Sequence, residues 1–141
     1  MTKLEIIKET VNHFSKDPKQ LRSFVYTDIL KLCAYYAANN TLCAYNGANN
    51  THCAVGRCML TKYKNQGKKF KYNTGFSVNS FIYDQINLDK LLSPKYRGHA
   101  PSFWDDLQRL HDDNQFWNEK GLSTSGEAFL KYLTETKYLN Q

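Results

Sequence analysis

Residues 33–58 read CAYYAANNTLCAYNGANNTHCAVGRC, and this stretch limits the fold more than any other. Cys-Ala-Tyr/Val recurs at Cys33, Cys43 and Cys53, and the decapeptides CAYYAANNTL and CAYNGANNTH agree at seven of ten positions. Asn-Asn-Thr at 39–41 and Asn-Gly-Ala-Asn-Asn-Thr at 46–51 are turn compositions, because Asn and Gly tolerate the left-handed backbone that tight turns need. Only the short Leu42–Tyr45 segment lies between them, and it is expected to be a strand of a small hairpin. The agreement reads as a tandem duplication that extends or repeats that hairpin, with too few copies for a solenoid.

Helices are expected on either side. Thr2 and Glu5 form a T-x-x-E capping box, and Leu4, Ile7, Val11 and Phe14 follow at helical spacing, so residues 3–14 are predicted as an amphipathic helix. Asp17-Pro18 restarts the chain as N-cap and first helical residue, with Leu21, Phe24 and Val25 on a second short helix. The run from Asp28 to Ala38 suits helix or strand equally. Thr51 or Asn50 is placed to cap a short helix over Ala54, Val55, Gly56, Met59 and Leu60, with Cys53 in its first turn. A further short helix is expected in 84–92, before Pro94. After the loop YRGHAP, Ser102 caps FWDDLQRLHDDNQFW, whose inward stripe is Phe103, Leu107, Leu110 and Asn114, with Trp104 and His111 beside it. Gly121 ends that helix. Thr124 and Glu127 open a last one with Phe129, Leu130 and Leu133 inward. At 141 residues the chain fits one domain, 1–141, able to bury a core without staples. The expected fold is α+β, a mostly helical single domain with a small cysteine-containing β-hairpin and a basic loop or hairpin.

The charge distribution points to a partner. No Asp or Glu occurs between Asp28 and Asp84, while Lys31, Arg57, Lys62, Lys64, Lys68, Lys69 and Lys71 lie inside that window. Residues 84–141 instead carry nine acids against seven bases. Such a middle favours an anionic partner: nucleic acid, a nucleotide or an acidic protein surface; the plain alternative is a solvated loop. In TKYKNQGKKFKYNTGFSVNS, 61–80, lysines alternate with Tyr63, Phe70, Tyr72 and Phe76 in what is expected to be an exposed loop or hairpin. The candidate partner-binding residues are Arg57, Lys62, Lys64, Lys68, Lys69, Phe70, Lys71 and Tyr72. Lysines would neutralise phosphates and aromatic faces stack bases, although Tyr and Phe suit a protein-binding surface equally.

The first residues, MTKLEIIKETV, carry two Glu and no long apolar run, so neither a secretory signal nor a membrane span is expected, and the chain is assigned to a reducing cytosol. Disulfides are then disfavoured, and the Asn-x-Thr triplets carry no glycan. Zinc fits the cysteine spacing poorly, since Cys-x9-Cys-x9-Cys-x4-Cys has no C-x2-C knuckle and residues five apart on a helix diverge by about 140°. No metal or cofactor is assigned. A reactive Cys53 would use the first-turn N–H groups and Arg57 to stabilise its thiolate, with His111 as base and Asp112 beside it. Adjacent helical residues point about 100° apart, so Asp112 is not expected to orient its neighbour's ring. The plainer reading makes Cys43 and Cys53 small apolar core residues, with His111 hydrogen-bonded beneath them.

Two blocks, Cys43-x-Tyr45 followed by Cys53-Ala-Val-Gly-Arg57, and Leu107-Gln108-x-Leu110-His111-Asp112 with Trp117 and Gly121-Leu-Ser-x-x-Gly126, resemble a family of small phage and prophage proteins. The family pattern has one Cys-x-Tyr hairpin, so the extra CAYYAANNTL departs from it and leaves Cys33 outside the pattern. The resemblance implies an α+β domain that brings the cysteine hairpin and the His-Asp helix together. It brings no established activity, but small basic phage proteins of this kind often bind and block a host factor. With the acid-free window, the chain is therefore expected to be a phage accessory protein in the host bacterial cytosol that binds and blocks an acidic host partner, a host-defence factor or its nucleic acid. The alternative is a cysteine-dependent hydrolase or transferase using Cys53 and His111.

Overall fold

The computed structural model describes residues 1–22, 45–47, 50–73 and 77–141, together with the backbone of strands 24–26 and 41–43. Helix α1 spans Lys3–Phe14, and its predicted capping box is present: Thr2 Oγ1 accepts from Glu5 N at 3.2 Å, and Glu5 Oε2 accepts from Thr2 N at 2.7 Å. Asp17 caps α2, Pro18–Leu21, with Pro18 as its first residue. The chain then leaves the helix earlier than the sequence suggests. Phe24–Tyr26 is strand β1, not helix, and pairs antiparallel with β2, Thr41–Cys43, in the register Phe24↔Cys43 and Val25↔Leu42. Aromatic and β-branched residues suit a paired strand, and the partner is too distant along the chain for local helix signals to reveal it.

Downstream, Gly56–Cys58 is one 3₁₀ turn, α3 spans Thr61–Lys64, and Gly67–Lys69 is a second 3₁₀ turn. The lysine-rich segment is therefore built of short helical turns, with no strand in its described part. Helix α4, Val78–Tyr83, opens with Ser77 and Ser80 capping one another. The 84–92 turn is 3₁₀ at Leu88–Lys90.

Helix α5, Pro101–Asp112, starts one residue before the expected cap, with Pro101 at its first position. It buries Phe103, Trp104, Leu107, Leu110 and His111. It ends at Asp112 because Asp113 caps a new 3₁₀ turn at Asn114–Phe116, its carboxylate accepting from Gln115 N at 2.9 Å. Asn114 is thus exposed beyond the helix instead of completing the inward stripe. Trp117–Asn118 (β3) and Gly121–Leu122 (β4) then form a two-residue hairpin in which Gly121 takes φ 143°, a region L side chains rarely enter. Ser123 caps α6, Thr124–Tyr132, which continues into a π-helical turn at Leu133–Lys137.

The buried side chains form one cluster, led by Trp104, Phe14, Phe81 and Phe103. Arg22, at the end of α2, reaches across it to the C-terminus of α5. Its Nε donates to the His111 carbonyl at 2.7 Å and one terminal nitrogen to the Asp112 carbonyl at 3.1 Å. These are two of the acceptors a helix end leaves open, and a cation complements the negative end of the helix dipole. The result is a mostly helical α+β fold with small antiparallel hairpins. Among the described residues, no helix is long and apolar enough to cross a membrane.

Candidate functional site

The lysine-rich segment is held from below by two asparagines. Asn46 and Asn73 bracket each other: Asn46 N donates to Asn73 Oδ1 at 2.7 Å and Asn73 Nδ2 to the Asn46 carbonyl at 2.9 Å. Asn46 Nδ2 also donates to the carbonyls of Tyr63 and Gly67, both at 3.1 Å. One buried amide thus satisfies carbonyls of α3 and of the following 3₁₀ turn, fixing the two turns that carry the lysines. His52 Nδ1 lies 2.8 Å from Asn46 Oδ1, Gly47 N donates to Thr51 O at 2.8 Å, and Asn50 takes φ 57°. Together these close the 46–52 loop.

Above this bracket the aromatics turn inward. Phe70 is 4% exposed, and its ring centroid lies 5.5 Å from Tyr63, 5.8 Å from Tyr72 and 6.3 Å from Tyr45. Phe81 of α4 closes the cluster, 5.4 Å from Tyr72 and 5.7 Å from Tyr45. Rings packed edge to face or tilted against one another in this way are core, leaving little face for a base to stack on. The lysines point the other way. Lys62, Lys68, Lys69 and Lys71 are exposed, and among the described residues none has a carboxylate within ion-pair distance. Lys62 and Lys71 lie over the rings of Tyr63 and Tyr72 at 4.9 and 5.3 Å. Lys64 is half-buried, its Nζ 3.5 Å from the Arg57 carbonyl.

Arg57 faces the interior. Its terminal nitrogens reach Glu9 Oε2 at 3.2 Å and Thr10 Oγ1 at 2.9 Å, tying the 3₁₀ turn to α1. Glu9 also accepts from the Tyr96 hydroxyl at 2.8 Å. Burial alone would push the Glu9 carboxyl pKa up; the Tyr96 hydrogen bond and the charge and hydrogen bond of Arg57 outweigh it, and the net shift is downward.

The second candidate centre lies between the 53–58 turn and α5. Cys53 is fully buried, but it precedes the 3₁₀ turn instead of sitting in the first turn of a helix, so the expected dipole stabilisation is missing. Gly56 N donates to its Sγ at 3.2 Å, and Gln108 adds a side-chain hydrogen bond. Gln108 is the hub: its Oε1 faces Val55 N at 3.4 Å and its Nε2 donates to Asp112 Oδ1 at 2.6 Å. The same Asp112 oxygen lies 2.6 Å from His111 Nδ1. Asp112 therefore does orient its neighbour's ring, contrary to the helical-wheel expectation, because it is the last residue of α5 and Gln108, one turn earlier, draws its carboxylate back.

Burial, assisted by the Asp112 charge, pushes the Cys53 thiol pKa far up. Burial also lowers the His111 pKa, outweighing the hydrogen bond and charge of Asp112 that raise it. A neutral His111 donating Nδ1–H to Asp112 follows. The polar connection from thiol to imidazole runs through Gln108 and Asp112. Cys58 is likewise buried, its thiol pushed up to about 12 mainly by desolvation. Cys33 and the Cys43 side chain lie outside the described residues. Among the described residues, no three His, Cys, Asp or Glu side chains are placed to hold a metal ion.

Such a thiol is expected to resist alkylation. In native protein at mildly alkaline pH, Cys53 should react with iodoacetamide more than about a hundredfold slower than in urea-unfolded chain, because a buried thiol must first be exposed and ionised. Peptide mapping by mass spectrometry measures this; equal rates would show an accessible thiolate.

Of the residues singled out from the sequence, Lys62, Lys68, Lys69 and Lys71 share one exposed segment, whereas Arg57 and Phe70 turn inward and Tyr72 is half-buried. Cys53, His111 and Asp112 belong to one buried polar chain. Asn46, Asn73 and Gln108 went unrecognised in their positioning roles. One signal for Asn46 was present, since the other repeat copy has Tyr36 at the equivalent position. The chain matches no protein-family model, no curated protein and no solved structure.

Proposed function

We propose that the chain is a binding protein whose lysine face, Lys62, Lys64, Lys68, Lys69 and Lys71, docks an acidic partner. The resemblance to small phage proteins suggests that this partner is a host factor, a defence protein or its nucleic acid, which the chain binds and blocks. One observation carries the reading: four exposed ammonium groups, without carboxylate partners among the described residues, stand on turns fixed by a buried Asn46–Asn73 bracket. Exposed like charges repel one another and add nothing to folding, so their gain lies in meeting an opposite field. Lysine ammoniums act as point charges without the planar fork of arginine, which suits steering and backbone neutralisation more than base readout.

The test is a pull-down from bacterial lysate, resolved for both protein and nucleic acid, comparing wild type with the triple variant Lys68→Glu, Lys69→Glu, Lys71→Glu. The variant should bind at least tenfold more weakly. If the captured partner is duplex nucleic acid, the slope of log affinity against log salt should fall by about three. Undiminished capture by a folded variant would sink the reading. A cysteine-dependent hydrolase or transferase remains the second reading because Cys53 and His111 share one polar chain; full function in Cys53→Ser removes it.

A further inference from the structure

The sequence holds a single Asn-Gly pair, Asn46-Gly47. In an open chain this is the pair that loses its side-chain amide most readily, because the glycine nitrogen attacks the asparagine Cγ with no Cβ beside it to obstruct the approach. The N–Cγ bond forms, the Cγ–Nδ2 bond breaks, and the side-chain nitrogen leaves as ammonia with the proton of the glycine N–H. Water then opens the cyclic imide at either carbonyl, giving aspartate or isoaspartate.

The fold holds every group in that reaction. Asn46 is 2% exposed. Its Nδ2 donates to the Tyr63 and Gly67 carbonyls, its Oδ1 lies 2.8 Å from His52 Nδ1, and its own N–H and carbonyl are bonded to Asn73. The attacking nitrogen is held too, since Gly47 N donates to Thr51 O at 2.8 Å, and Asn46 pairs with His52 across the loop as an antiparallel bridge. To react, the Asn46 side chain must swing its Cγ onto Gly47 N and leave both of its carbonyl partners. Gly47 N–H must leave Thr51 so that it can ionise. Both movements require the 46–52 loop to open.

We propose that Asn46 is a deamidation site guarded by its own clasp, and that opening of the loop converts the chain irreversibly into a form whose lysine turns are released. The product cannot close the clasp again. The oxygen that replaces Nδ2 meets two carbonyl oxygens, so two hydrogen bonds that join α3 to the next 3₁₀ turn become two repulsions at a buried position. Isoaspartate also adds a carbon to the backbone between the Asn73 bracket and the Gly47–Thr51 bond. The chemistry stands without any partner; its consequence for docking rests on the lysine-face reading.

The experiment incubates the full chain at mildly alkaline pH, folded in buffer and unfolded in urea, and follows the peptide containing Asn46 by mass spectrometry as its amide becomes an acid. Deamidation in the folded chain should be at least about thirtyfold slower than in urea, since it must wait for local opening. Gly47→Ala, which places a Cβ on the attacking residue, should slow the urea reaction about tenfold. The deamidated pool is then refolded and digested briefly with trypsin, which cuts after lysine. Cleavage after Lys64, Lys68, Lys69 and Lys71 should be about tenfold faster than in fresh protein, and Asn46→Asp should reproduce this without incubation. Cleavage after Lys131 in α6 should not change. Equal deamidation rates in buffer and urea, or no reaction at Asn46 in urea, overturn the guarded site. Unchanged cleavage of the lysine turns, or an equal rise after Lys131, overturns their local release. Neither outcome touches the lysine face as a docking surface, which the pull-down with the charge-reversed variant decides separately.

Discussion

Replacing Gly56 by alanine is expected to cost about 3 kcal/mol or more of folding stability, at the upper end of overpacking penalties. A Cβ there would lie 2.1 Å from the Tyr45 carbonyl oxygen and 2.8 Å from its carbon. These are backbone atoms, and Tyr45 cannot retreat. Its N–H is bonded to Asn73 O, its carbonyl accepts from Cys53 N at 3.2 Å, and its ring is packed against Phe70 and Phe81. Relief would have to break the bracket that fixes the lysine turns. Thermal and urea unfolding should show a Tm lowered by about 10 °C or more. An unchanged Tm would mean that the two segments can separate without loss.

The second large effect is at Trp104, fully buried with its ring 5.1 Å from Phe103 and 6.1 Å from His99. Trp104→Ala should cost about 3–5 kcal/mol, through lost transfer free energy and the cavity left behind. Trp104→Phe should cost less than half as much. Its Nε1 is buried without an acceptor among the described residues, so phenylalanine loses area but also removes an orphan donor. Urea unfolding of the pair gives the comparison. Equal costs for the two variants would imply that the indole N–H is satisfied after all.

What could be read from the sequence followed the range of the forces involved. The start of α1 was legible to the residue because Thr2 and Glu5 act across one turn, and α2 opened where Asp17-Pro18 placed it. The α+β class and the mostly helical character followed from the same local signals. Phe24 and Val25 suit a helix by local spacing, and their strand character is hidden because the partner at 41–43 lies far along the chain. The α5 helix was carried past Asp112 because Asp113 gives no sign, by composition alone, that it caps a new turn. The lysine face was visible as an acid-free window, since charge needs no fold to be counted. The inward turn of Arg57 was not visible, for it depends on Glu9 and Thr10, which local spacing does not bring near. An ideal helix points Asp112 away from its neighbour's ring, and a helix end does not obey that geometry when Gln108 pulls on the carboxylate.

The closed 46–52 loop also gives meaning to the places where the two decapeptides differ. They disagree at three places, where the first copy has Tyr36, Ala37 and Leu42 and the second has Asn46, Gly47 and His52. Those three residues are the clasp: Asn46 and His52 join through side chains, and Gly47 donates to Thr51. Leu42 instead sits in β2 opposite Val25. The two copies therefore differ at the positions that latch the loop and reach Tyr63 and Gly67, and agree at Cys-Ala-Tyr and Asn-Asn-Thr. A chain carrying Tyr, Ala and Leu at 46, 47 and 52 would repeat the decapeptide in full and lose the amide that holds its lysines in place.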